Sequence, residues 1–239
     1  MGLYFLSNWV ALIAVTVLAA CTVAARAQKS EPHLCNEDAM IVFDASGSMY
    51  GDGWGYASTS RMSRIDNARS ALAKVLPNVT RFRRVGLMSF GPGPYNQCNV
   101  ELDLKPTPNA ANLIMGIVNA LVPAGKTPLT SAVEQAANVL DYRVKPGVIV
   151  VLTDGEETCG RSPCELGKRL HAEAAQLTIH VIGLRVKGFS WTGEQSFIET
   201  KCLAEQNNGL YLAVETEDEL VAAFEKTLGC PMMSQRAVP

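Results

Sequence analysis

Two uninterrupted apolar runs, Ala39 to Phe43 and Val148 to Leu152, each lead within two residues into an aspartate, Asp44 and Asp154. Short apolar runs without polar alternation fit strands buried on both faces, which is how parallel sheets with helical crossovers are built. Val85 to Phe90, Thr178 to Leu184 and Leu210 to Val214 supply three more runs, whereas Val100, Leu102 and Leu104 alternate and fit a half-exposed antiparallel edge strand. Helical spacing fills the intervals: Ile65, Ala68, Leu72 and Leu76 up to Pro77; Leu113 to Leu121; Leu129 to Leu140; Leu166, Leu170 and Leu177; then Ile198 and Cys202. Ser162, Pro163 and Glu165 read as an N-cap, a first-position proline and a capping-box acid, and Thr216 with Glu219 reads as the capping box of the last helix. Strands alternating with helices predict an α/β fold, a mostly parallel sheet covered by helices on both faces. With 48% hydrophobic and 18% charged residues the chain can bury a sizeable core, and no repeat or low-complexity tract follows residue 35.

In open sheets of this kind a ligand sits beyond the carboxyl ends of the strands, where strand order reverses. Asp44, Ser46 and Ser48 follow the first strand at a spacing of two, and Gly47 is expected to let the loop turn tightly enough to aim all three inward. Thr127 opens a later helix and Asp154 ends another strand. Two carboxylates and three hydroxyls make an all-oxygen donor set with two negative charges. That set suits Mg²⁺ or Mn²⁺ better than Ca²⁺, which remains an alternative. Singly, these residues also read as ordinary caps and turns: Thr127 before Pro128 is a good N-cap, and Asp154 before Gly155 is common turn chemistry. Five oxygen donors converging from three segments are poorly explained that way.

Charge and cysteine content narrow the setting. The balance of 21 basic against 23 acidic residues leaves a net charge of -2 and no basic surface for a nucleic acid backbone. Residues 1–27 read as a signal peptide with a small-x-small cut site at Ala25 to Ala27, followed by a short lead over 28–35. Leu18 to Cys21 reads as an alternative lipobox that would anchor the chain through a lipid at Cys21. The other six cysteines, Cys35, Cys98, Cys159, Cys164, Cys202 and Cys230, form an even set that in an exported chain implies disulfides, with 15 connectivities open.

With Asp44, Ala45, Ser46, Gly47 and Ser48 filling a D-x-S-x-S motif, and Thr127 and Asp154 in place, the chain resembles the von Willebrand factor type A domain with its metal-ion-dependent adhesion site. Cys98, the Cys159 to Cys164 segment and Cys202 resemble those of exported bacterial members. The resemblance spans the domain expected at residues 36–230, before a flexible tail at 231–239. It implies a Rossmann-like, doubly wound, six-stranded sheet of order 3-2-1-4-5-6, with the third strand antiparallel at the edge. It further implies a monomeric module in the bacterial periplasm or secreted, not an enzyme, that captures an Asp or Glu carboxylate of a protein partner through Mg²⁺. On that topology Cys35 pairs with Cys230 and ties the chain ends. Cys98 then pairs with Cys159 and Cys164 with Cys202, in preference to a local Cys159–Cys164 bridge. Tyr50, Trp54, Tyr95 and Trp191 fall in loops at the metal edge and are expected to rim the partner site. Two rivals are an enzyme and an envelope protein with an idle metal site. A dehalogenase-like phosphatase would need a second carboxylate where Ser46 stands, and a serine hydrolase would need a nucleophile elbow and a neighbouring histidine.

Overall fold

The computed structural model of the chain describes residues 37–51, 63–184 and 193–229, with the backbone alone for 193–197. The expected signal peptide, lead and tail, Cys21, Cys35, Cys230, Trp54 and Trp191 lie outside the described residues. Six strands, β1 (Asp38–Asp44), β2 (Val85–Phe90), β3 (Val100–Thr107), β4 (Pro146–Thr153), β5 (Gln176–Leu184) and β6 (Tyr211–Val214), form one sheet of order β3-β2-β1-β4-β5-β6. All neighbours pair in parallel except β2 with β3. This is the expected Rossmann-like arrangement, with the reversal of strand order falling between β1 and β4.

The two faces of β1 separate two cores. Ala39, Ile41 and Phe43 pack with α1 (Arg64–Val79), α2 (Ala111–Ala120) and α6 (Glu217–Leu228), whereas Met40 and Val42 pack with α3 (Leu129–Val139), α4 (Pro163–Glu173) and α5 (Gly193–Gln206). Every residue of β1 from Ala39 to Phe43 is fully buried, and each large side chain so buried stabilises the fold by about 1.5–3 kcal/mol. The central strands therefore have no freedom to slip, and the loops at their carboxyl ends are fixed relative to one another.

Local readings hold in most places, and two helix ends differ. Helix α1 passes through Pro77 to Val79, because the ring costs only one bond of the last turn and Thr80 closes that turn with its N–H and its hydroxyl on the Leu76 carbonyl, at 3.0 and 2.9 Å. Leu177 belongs to β5 and not to α4: Ala174 turns extended after Glu173, and the seven-residue step from Leu170 mimics helical periodicity. Leu113 is exposed, since α2 buries only the narrow stripe of Ile114 and Val118. Ser162 caps α4 by accepting the Glu165 N–H, but its hydroxyl and the Cys164 N–H both donate to Glu199 on α5, at 2.7 and 3.2 Å. The capping box of Thr216 and Glu219 forms as read. Among the described residues no helix is long and apolar enough to cross a membrane.

Disulfides join Cys98 to Cys159 and Cys164 to Cys202, the preferred pairing. The second links α4 to α5, which lie close because Gly167 has no side chain: a Cβ there would stand 3.1 Å from the Leu203 Cα. Buried Asn207 completes the joint by donating to the carbonyls of Gly167 and Leu203. A bridge closing 38 residues constrains the unfolded chain by about 3–4 kcal/mol. Urea unfolding of Cys164→Ala/Cys202→Ala is expected to show a loss on that order. An unchanged midpoint would mean that the helix joint holds without the bridge.

Candidate metal centre

The parallel ends of β1 and β4 bring the two aspartates to one edge. Asp44 is completely buried. Its Oδ1 accepts the Ser46 N–H at 2.8 Å and its Oδ2 accepts the Thr153 hydroxyl at 2.7 Å, so the carboxylate is locked between the two strand ends. The Oγ atoms of Ser46 and Ser48 lie 3.0 Å apart, and Ser48 donates to Asp154 Oδ1 at 2.6 Å. Ser46, Ser48 and Asp154 thus form a run of oxygens in contact, which Asp44 joins through the Ser46 N–H.

Backbone contacts place the loops. Ala45 donates to the Phe90 carbonyl, Gly47 to that of Gly125, and Gly125 to that of Gly91. The glycine that permits this is Gly91 more than Gly47. Gly91 adopts φ +78°, and a Cβ there would lie 2.6 Å from the Ser46 Cα; Gly47 has no left-handed backbone and serves close approach, its Cβ position standing 3.1 Å from the Ala124 carbonyl. Thr127 is buried two residues beyond Gly125, which bridges to Ser46. Its N–H donates to the Thr158 hydroxyl at 2.8 Å and its carbonyl accepts the Thr158 N–H at 3.0 Å. The side chain does not cap α3, whose N-cap is Pro128. Tyr50 and Tyr95 are 73% and 81% exposed, at the end of the Gly47–Tyr50 turn and in the β2–β3 loop.

Two residues were missed by sequence reasoning. Arg64, the first residue of α1, donates from Nη1 to Asp154 Oδ2 at 2.7 Å and to the Ser48 carbonyl at 2.9 Å. Its local signal was a cation in the first turn of a helix, where the helix dipole favours an anion. Glu157 accepts the Thr130 and Cys159 N–H groups, both at 2.7 Å, and so stitches the β4–α4 loop to the start of α3. The Cys98–Cys159 bridge fastens the same loop to the β2–β3 loop.

The electrostatics leave the site short of positive charge. Burial, reinforced by the neighbouring Asp154 carboxylate, pushes Asp44 up from 3.8 to about 7. Burial also raises Asp154, although Ser48 and Arg64 pull it the other way. Of the two buried carboxylates only Asp154 has a guanidinium beside it, and a divalent cation among them would supply the missing charge. The spacing suits one: metal–oxygen bonds of 2.0–2.1 Å in an octahedron put adjacent oxygens about 2.8–3.0 Å apart, and the two serine hydroxyls lie 3.0 Å apart. Among the described residues no group of three or more His, Cys, Asp or Glu side chains is placed to hold a metal. Binding would therefore rest on two carboxylates supplemented by hydroxyls and water, a donor set that Mg²⁺ tolerates.

Residues 39–157 match the family model of the von Willebrand factor type A domain. Over 199 residues it is 28% identical to the uncharacterized protein YwmD of Bacillus subtilis, covering 78% of this chain and 82% of that one. YwmC of the same organism is 25% identical over 194 residues, with 77% and 79% covered. Among solved structures the fold is similar to the vWF domain of the type V pili tip protein Mfa5 from Porphyromonas gingivalis, with a TM-score of 0.57, 14% identity and coverage of 86% and 98%. It is also similar to an aerotolerance-related membrane protein from Bacteroides fragilis, with a TM-score of 0.55, 18% identity and coverage of 80% and 98%.

A buried carboxyl whose pKa rises from 3.8 to about 7 binds its proton more tightly in the folded state. Its contribution to stability is complete below about pH 4 and is lost as pH rises towards 7. With EDTA present, the melting temperature of the wild type is expected to fall across that window more steeply than that of Asp44→Asn. Parallel pH profiles would show that Asp44 is not an uncompensated charge.

Proposed function

We propose that the chain is an exported, metal-dependent protein-binding module that captures a partner's Asp or Glu carboxylate through Mg²⁺. The observation that carries this reading is the hydrogen-bonded cluster of Asp44, Ser46, Ser48 and Asp154 at one sheet edge, with its deficit of positive charge. In this reading Ser46 and Ser48 hold the ion directly, and Asp44, Thr127 and Asp154 hold it directly or through water. Bound there, the ion supplies a Lewis-acidic position to which an anionic ligand can coordinate. Tyr50 and Tyr95, exposed on loops at the same edge, rim the site. The likeness in fold to a pilus tip domain and to the PilB minor pilin of Streptococcus sanguinis fits an adhesion-type role. The two disulfides fit an oxidising compartment outside the cytoplasm.

Acid–base or nucleophilic chemistry has less support. Ser46 stands where a phosphatase would need a second acid. Of the described histidines, His171 lies in the last turn of α4 and His180 within β5, paired with Val150 in the middle of β4. Serine hydroxyls with no histidine beside them among the described residues suit a binding site better than a serine–histidine reaction centre.

Mg²⁺ that binds the folded state stabilises it by about 2.7 kcal/mol at a hundred times its dissociation constant. The wild type is expected to melt at a higher temperature in Mg²⁺ or Mn²⁺, and Asp44→Ala to show no such shift. Envelope proteins retained by the wild type in Mg²⁺, but lost with EDTA or with Asp44→Ala, are the expected partners. Equal shifts in both proteins contradict the metal site; a metal-loaded wild type that retains nothing contradicts the binding role.

A further inference from the structure

Arg64 is costly where it stands. It opens α1, where the helix dipole opposes a cation. Its Nε–H is buried without an acceptor, and its side chain is only 14% exposed. An arginine whose role was to brace Asp154 would engage both carboxylate oxygens through its planar fork. Here a single nitrogen, Nη1, serves both Asp154 Oδ2 and the Ser48 carbonyl, and Asp154 Oδ1 is left to the Ser48 hydroxyl. The guanidinium therefore contributes its charge while leaving the oxygens that face the two serines unblocked. Its position is fixed from behind: Ser63 accepts the Asp66 N–H as N-cap, and Asn67 donates to the Ser63 carbonyl.

We propose that Arg64 sets the charge balance of the metal centre: it holds down the affinity for a divalent cation and leaves the loaded site with an excess of positive charge for an anionic partner. The inference rests on the metal-binding reading above and goes beyond it. Without Arg64 the two carboxylates carry two negative charges and a divalent cation neutralises them. With Arg64 the same cation leaves one positive charge in excess. Because one Nη1 atom reaches both the loop after β1 and the end of β4, the penalty falls on the cation that those two segments share. The guanidinium also compensates Asp154 before the ion arrives, so the fold does not require metal.

Titration calorimetry with Mg²⁺, beside melting curves in EDTA, tests this on the full mature chain in three forms: wild type, Arg64→Gln and Arg64→Lys. Arg64→Gln is expected to bind Mg²⁺ at least about tenfold more tightly than the wild type, because a like charge within the site is removed, and to melt at a lower temperature in EDTA. Arg64→Lys keeps the charge and is expected to bind as the wild type does. If Arg64→Gln folds only on adding Mg²⁺, a folding midpoint below the wild-type dissociation constant gives the same support. Equal or weaker Mg²⁺ binding by Arg64→Gln, with the wild type binding normally, overturns the proposal alone and makes Arg64 an orienting brace. So does a variant that stays unfolded in saturating Mg²⁺. A wild type that binds no Mg²⁺ overturns the metal reading itself.

Discussion

The structure at the carboxyl edge of the sheet depends on two carboxylates kept out of water within reach of one another. β1 ends at Asp44 and β4 leads into Asp154, and the parallel pairing of the two strands leaves no other place for the acids to go. Burying anions is expensive, and each must be compensated by hydrogen bonds or charge. Asp44 receives the Ser46 N–H and the Thr153 hydroxyl, and Asp154 receives the Ser48 hydroxyl and Arg64. The loops around them are shaped by that requirement. Gly91 bends away so that Ser46 can fit, Gly125 receives Gly47, and Thr158 clasps Thr127.

This economy distinguishes the site from a structural salt bridge. An ion pair would balance its charges, whereas here burial raises both acids, the neighbouring Asp154 raises Asp44 further, and the single guanidinium answers only Asp154. The remaining oxygens are neutral hydroxyls, which would supply coordination to a cation without adding charge. A cation held by few acids is held reversibly and keeps attraction for an outside anion, which is the property a carboxylate-capturing module needs. The bracing is correspondingly heavy: Glu157 and the Cys98–Cys159 bridge both fasten the loop that follows Asp154.

Much of this was legible in the residues because the governing signals are local. Apolar runs ending at aspartates marked the strands and the edge at which the two acids meet. The two-residue spacing of Asp44, Ser46 and Ser48 marked the loop that meets Asp154, and the Thr216 capping box marked a helix start to the residue. The strand order and the Cys98–Cys159 and Cys164–Cys202 pairings needed the family resemblance, because non-local pairing leaves no periodic trace. Periodicity misplaced Leu177 because a seven-residue step fits a helix whether or not the chain has already turned, and Pro77 passed as a stop because its cost is small in a last turn. Arg64 and Glu157 escaped because each acts on a segment far away in sequence, and neither interrupts a pattern. The glycine of the turn was misassigned for a similar reason, since it is Gly91, after a different strand, that makes room for Ser46.

The most direct measurement is the anomalous scattering of crystals grown with MnCl₂. The account predicts a manganese peak bonded to the Oγ atoms of Ser46 and Ser48, with Asp44, Thr127 and Asp154 in its first shell or one water away. Fully loaded crystals with no peak there, or with the ion elsewhere and the Asp44 and Asp154 contacts unchanged, would contradict it.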